Sequence, residues 1–263
     1  MVTKGVEEAS GWKIKRLGDD DPFPNSYPLD EIDRNRAVLL FNQIKTELNR
    51  LDRPIVLWGI SIPEYGIVKG YEGNSYICST YRHTLGIPET PVHYESLQAP
   101  GKMHAFILTE KWLLDKKRIV RNVLSRGLAL AKGNYPNFGY ITGPEAFSEW
   151  AEVLENKPID ELSYHGNSHI AACQYEAKTK LVQFLSRILD NYHGESRKHL
   201  QNAQKSYDKV RTHLLKFTQL FPFAFEGKLE DNMRKKGAKL LRNMYLSENS
   251  AIESLEYVLD VLN

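Results

Sequence analysis

His165, His169 and Cys173 recur every four residues, a spacing that could set two imidazoles and a thiolate along one face of a helix, in a geometry zinc accepts. The plainer reading is preferred. Gly166 and Asn167 place the helix start after His165, and Cys173 then falls on the apolar stripe as a small buried residue. Cys78 with His83 or His104 is a second conceivable chemical pair. Its setting is a strand, whereas a reactive thiolate usually needs a helix N-terminus or a neighbouring cation, so a packed strand cysteine is expected. Trp58, Glu64, Tyr65 and Tyr71 lie near one another in sequence, three aromatic rings and one carboxylate that could serve a small polar or cationic ligand and that core packing with an exposed loop would equally explain. Glu176 and Glu248 stand beside or within helical seams, where a carboxylate must find a Lys or Arg, reach solvent or serve a ligand. These six form the candidate ligand-binding set. No Gly-rich phosphate loop, GxSxG elbow or HExxH occurs, and no cofactor is assigned.

The elements that must position these residues fall into two regions. The first thirty residues, with Asp19 to Asp21 and the run DPFPNSYP, read as an irregular lead-in. Ile32, Val38, Leu40, Phe41, Ile44 and Leu48 then repeat at helical spacing, with Asp30 as the cap. RPIVLWGI, EYGIVKGY and NSYICST predict three antiparallel strands, and TPVHYESL and GKMHAFILTE two more, for a sheet of about five. LLDKKRIVRNVLSRGLALAK returns to helical period, its Lys116, Lys117, Arg121 and Arg126 forming a solvated face. In TGPEAFSEWAEVLE, Thr142 and Glu145 predict a capping box.

Beyond Pro158 the period stays helical. Ile170, Cys173, Ala177, Leu181, Phe184 and Ile188 predict one helix seam, and Leu200, Ala203, Tyr207, Val210, Leu214 and Phe217 a second. The third holds Met233, Gly237, Leu240, Met244, Ala251, Leu255, Val258 and Leu262, with Glu248 where an apolar residue is expected. The fold class is therefore α+β: an antiparallel sheet with packed helices over residues 1–158, then an all-α three-helix bundle over 159–263.

The stretch RPIVLWGISIPEYGIVKGYEGNSYICST resembles the central hairpin of the papain-like cysteine peptidase fold, as in bacteriocin-processing peptidase-like proteins and butirosin-type acyltransferases. Gly66-Ile67-Val68-Lys69-Gly70-Tyr71-Glu72 carries the likeness, and GYITGPEAFSEWAEVLE followed by a helical tail extends it diffusely over residues 30–263. The resemblance implies a papain-like sheet. It also implies a thiolate on an N-terminal helix, a histidine opening the second strand and an orienting carboxylate or amide on the third. This chain has no cysteine before Cys78, Glu64 and Tyr65 where the histidine is expected, and Ser79 or Thr80 at the orienting place. The implied protein is a degenerate, non-catalytic scaffold that binds a small molecule or peptide. Two alternatives stand beside it: a cysteine-dependent acyltransferase or amide hydrolase whose nucleophile lies outside this chain, and a structural protein that oligomerises through its helices.

Composition narrows the partners. With 263 residues, 41% hydrophobic, 26% charged and a net charge of +2, the chain reads as ordinary globular protein. Neither region is strongly basic, so no nucleic acid is expected. No apolar run approaches the roughly 20 residues that span a bilayer, the first twenty lack a signal-peptide core, and two cysteines make no disulfide framework. A cytoplasmic location without a membrane partner is the expectation, with a homo-oligomer formed through the helical region as a further one.

Overall fold

The computed structural model describes residues 2–19, 29–60, 63–80, 82, 86–99, 102–113, 115–133, 139–222 and 231–262. It is an α+β fold whose chain divides into two units, Met1–Asp115 and Lys116–Asn263.

The first unit begins with α1 (Val2–Ser10) and β1 (Trp12–Gly18), then α2 (Glu31–Leu51), β2 (Ile55–Trp58), β3 (Tyr65–Glu72), β4 (Ser75–Ser79), the two-residue β5 (Val92–His93) and β6 (His104–Lys111). The strands form one antiparallel sheet in the order β1-β6-β2-β3-β4-β5. Asp30 caps α2 as expected, accepting from the Asp33 N–H at 2.8 Å. Leu40, Phe41, Ile44 and Leu48 of α2 pack on Leu17, Ile55, Leu57, Val68, Tyr76, Cys78, Ala105 and Ile107, which fill one face of the sheet. Alternation along each strand sends the intervening residues to the other face.

The lead-in is not irregular where it is described. WKIKRLG pairs with β6, because its own alternation presents Leu17 to the core while Lys15 reaches Glu47 of α2 at 2.7 Å. Residues 20 to 28, which hold the run DPFPNSYP, lie outside the described residues. TPVHYESL contributes only β5 before a short 3-10 turn over Tyr94–Ser96, and the addition of β1 gives the sheet six strands among the described residues rather than five. Gly59 closes β2 at φ +85°, donating to the Glu64 carbonyl at 2.8 Å; a Cβ there would lie 2.7 Å from the Gln98 backbone.

The second unit holds α3 (Lys116–Ala131), α4 (Pro144–Asn156), α5 (Glu161–Ile188), α6 (Gly194–Leu220) and α7 (Asp231–Leu262). The expected boundary near 158 moves to 115 because α3 and α4 bury their apolar stripes on the bundle. Val120, Leu124 and Leu128 of α3 join Leu185, Leu200, Ala203, Leu255 and Val258. Phe147, Ala151 and Leu154 of α4 join Val210, Leu214, Phe217, Ala238 and Leu241. Among the described residues the bundle therefore has five helices where three were expected. Gly237 lets α7 approach α4 closely, since a Cβ would lie 2.8 Å from Leu154 Cδ2.

The capping box does not form. Gly143 is the N-cap of α4 at φ +70°, with no side-chain cap, and Thr142 donates instead to the Leu130 carbonyl at 2.9 Å. A Cβ on Gly143 would collide with the Ala131 carbonyl, so the α3–α4 connection is held against the end of α3 by a position only glycine can occupy.

Lys15 and Arg50 together hold the Glu47 carboxyl below its ordinary range, Lys15 contributing most. A depressed carboxyl stabilises the fold above its unfolded value, about 4.3, and that contribution is lost as pH falls through the folded value. Both cations are more than half exposed, which limits the effect to about 1 kcal/mol. Glu47→Gln is expected to lower urea-unfolding stability by about that amount at pH 7, with the gap to wild type closing as pH drops below about 4.3.

Candidate functional site

The candidates on the sheet separate onto its two faces. Trp58 and Tyr65 are paired in register across β2 and β3, their rings 4.8 Å apart. They share the face opposite α2 with His104 and Phe106, which alternate with the buried Ala105 and Ile107. His104 Nδ1 lies 3.1 Å from the Lys102 carbonyl, so that nitrogen carries the proton and donates. His104 Nε2 then accepts from the Tyr65 hydroxyl at 2.8 Å. Partial burial pushes the Tyr65 phenol up, and the Arg16 charge offsets part of the effect. The ring cluster is an open surface: Tyr65 is 49% exposed.

Tyr71 belongs to the other face. It packs edge-on against Phe41 and hydrogen-bonds Asn49 of α2, so the expected wall of four does not share one groove. The β-bulge between Val68 and Gly70 is where the face reverses. Glu64 is an exposed turn residue whose backbone, through its carbonyl, carries the contact with Gly59.

The cysteine chemistry fails on geometry. Cys78 is buried under α2 on the inner face, burial raises its thiol pKa, and the Glu89 charge adds to the effect. His104 is on the outer face, and His83 lies outside the described residues. In the second unit α5 starts at Glu161, capped by Asp160, so His165 is inside the helix rather than before it. His165, His169 and Cys173 do share a face, with the His169 and Cys173 side chains 3.7 Å apart. Cys173 is exposed rather than part of the seam, and no group of three or more His, Cys, Asp or Glu able to hold a metal occurs among the described residues.

Glu176 is exposed, whereas Glu248 is 4% exposed in the middle of α7. It marks a polar level between the two apolar clusters of the bundle. Along α6 the upper cluster ends at Tyr207 and the lower starts at Val210; along α7 they end at Ala251 and Met244. Lys178 of α5 reaches Glu248 Oε1 at 2.6 Å, its side chain only 12% exposed. The Lys178 ammonium also sits over the Tyr207 ring, 5.0 Å from its centre. Burial, with the Glu248 charge behind it, pushes the Tyr207 phenol up. Glu248 Oε2 is buried and has no hydrogen-bond partner among the described residues.

Both members of this ion pair line a cavity of about 450 Å³. Its remaining wall is mostly apolar: Leu124, Leu130, Phe147, Trp150, Leu181 and Leu255 among others, with Gly127 at an exposed stretch of α3. Ile170, Gln174, Lys178 and Leu181 form one stripe of α5 that faces the cavity. The predicted seam of α5 is accordingly displaced. Tyr164, Ser168, Ala171, Leu185 and Ile188 are the buried residues, while Ile170 and Ala177 are not.

Sequence reasoning found Glu248 and missed Lys178, Gln174, Trp150 and Tyr207. The available signal was Lys178 interrupting an apolar stripe, seventy residues from a carboxylate that interrupts another. No known protein-family model matches the chain, and no curated protein sequence is similar to it. No described helix is long and apolar enough to cross a membrane.

Removing one member of a buried ion pair typically costs about 3–5 kcal/mol, while replacing both with apolar residues is often neutral or stabilising. Lys178→Met is therefore expected to lower the stability measured by urea unfolding by about 3 kcal/mol. The double variant Lys178→Met/Glu248→Leu should return to within about 1 kcal/mol of wild type or exceed it. Equal losses in the single and double variants would contradict the pairing.

Proposed function

We propose that the protein is a non-catalytic binding protein for a small molecule, held in the cavity of the helical unit. The observation that carries this reading is the buried Glu248–Lys178 pair set in the wall of a largely apolar cavity of about 450 Å³. That volume is within the range of small-molecule sites, roughly 300–1,000 Å³, which combine apolar walls with a few convergent polar groups.

The sheet unit enters as a degenerate papain-like scaffold. Support comes from α2 leading into an antiparallel hairpin, and from Cys78 turned into the core away from His104. An acyltransferase whose nucleophile is supplied from elsewhere would need an acid–base partner on the sheet. Tyr65 and His104 are the residues that could fill that role, and their open setting favours binding over catalysis. Self-association through the helices and a cytoplasmic setting remain parts of the proposal without a site of their own.

The test uses aminoanthracene and octanol as apolar probes, followed by fluorescence and by thermal shift. Apart from the backbone of its own helix turn and its chain neighbours, no described atom lies within 4 Å of where a Cβ on Gly127 would stand, so Gly127→Leu fits the helix and is expected to place its side chain at the cavity wall that Gly127 lines. Leucine also has the better helix propensity, by up to about 1 kcal/mol. Wild type is expected to bind both probes with a raised melting temperature. Gly127→Leu should bind at least about tenfold more weakly, an effect of about 1.4 kcal/mol, while melting no lower than wild type. Glu64→Gln and Tyr65→Ala should bind as wild type does. Undiminished binding by Gly127→Leu, or none by wild type, would overturn the proposal.

A further inference from the structure

Glu248 is an acceptor with two oxygens. Oε1 takes the Lys178 ammonium at 2.6 Å, and Oε2 is buried without a partner among the described residues. A buried polar atom left unpaired is costly, and more so when it is charged. The charge of the pair is already balanced, since one carboxylate faces one ammonium. A third ion would upset that balance: a ligand ammonium would stand beside Lys178, and a ligand carboxylate beside Glu248.

The head group that fits is neutral and able both to donate to Glu248 and to accept from Lys178. A hydroxyl does both with one atom, giving its proton to the carboxylate and offering its lone pairs to the ammonium. An ether can only accept. Gln174, on the same stripe of α5 and also in the wall, adds a second neutral donor and acceptor. Around this polar level the wall is aliphatic and aromatic on α3, α4, α5 and α7.

We infer that the natural ligand is a neutral amphiphile, an apolar body carrying a hydroxyl head that bridges Glu248 and Lys178. This rests on reading the helical cavity as a binding site, and it adds the chemical class of what is bound. A site built to hydrogen-bond a hydroxyl discriminates against analogues without one, because its own buried groups are then left unpaired.

Isothermal calorimetry on the full chain with octanol, octyl methyl ether, octylamine and octanoate tests the inference. Octanol should bind wild type about tenfold tighter than the ether, a difference of about 1.4 kcal/mol, and tighter than either ion. Glu248→Gln replaces a pure acceptor by a carboxamide that also donates, so the ether should gain and the preference for octanol should fall below about threefold. Should that variant not fold, the wild-type series decides alone. Equal binding of octanol and ether would overturn the hydroxyl inference while leaving the cavity as a site. Tightest binding of the amine or the carboxylate would do the same. Failure of all four to bind would remove both readings.

Discussion

A carboxylate in the middle of a helix bundle can be kept only if something meets its charge. Glu248 stands where the repeat of α7 calls for an apolar side chain, and one cation, Lys178, answers it from α5 at 2.6 Å. Two buried ions are held at the cost of several kcal/mol of desolvation each, set against their mutual attraction. The rest of the second unit is arranged around this pair. Apolar clusters form on either side of it, and the stripe of α5 that carries Lys178 is turned towards a cavity instead of into the seam. A hydrophobic pair at these positions would serve stability as well or better, so stability alone does not account for the ion pair. The ligand role proposed for the cavity would account for it.

The first unit has a different constraint, a sheet with one covered face. Helix α2 covers Ile55, Leu57, Val68, Tyr76 and Cys78, and strand alternation leaves Trp58, Tyr65, His104 and Phe106 on the other side. Cys78 is therefore a core residue, whose thiol burial makes harder to ionise. The Lys102 carbonyl fixes the imidazole tautomer of His104, whose Nε2 then accepts from the Tyr65 hydroxyl.

How far the sequence could be read depended on how local each signal was. Helix α6 was fully legible: Leu200, Ala203, Tyr207, Val210, Leu214 and Phe217 are all buried as their spacing requires. Three strands and the cap at Asp30 were legible for the same reason, since alternation and capping are decided within a few residues. Strand β1 is hidden in the sequence because the prolines and aspartates that follow it give the first thirty residues the composition of a loop. Tyr71 reads alongside Trp58 and Tyr65 in the sequence because a bulge, which moves a side chain to the other face, leaves no mark on composition. In α5 the apolar residues Ile170 and Leu181 read as seam, and only the neighbouring helices show that this stripe lines a cavity. Glu248 was visible as an exception to a pattern. Lys178, its partner, is one lysine among many until the chain is folded.

The cavity at the Glu248 level is the proposed place of an apolar ligand. Intermolecular nuclear Overhauser effects between octanol and the protein's methyl groups test this directly. Contacts from the octyl chain to Leu124, Leu181 and Leu255 are predicted, because these residues line the cavity. Contacts confined to Ile67 and Ile77, on the open face of the sheet, would contradict it.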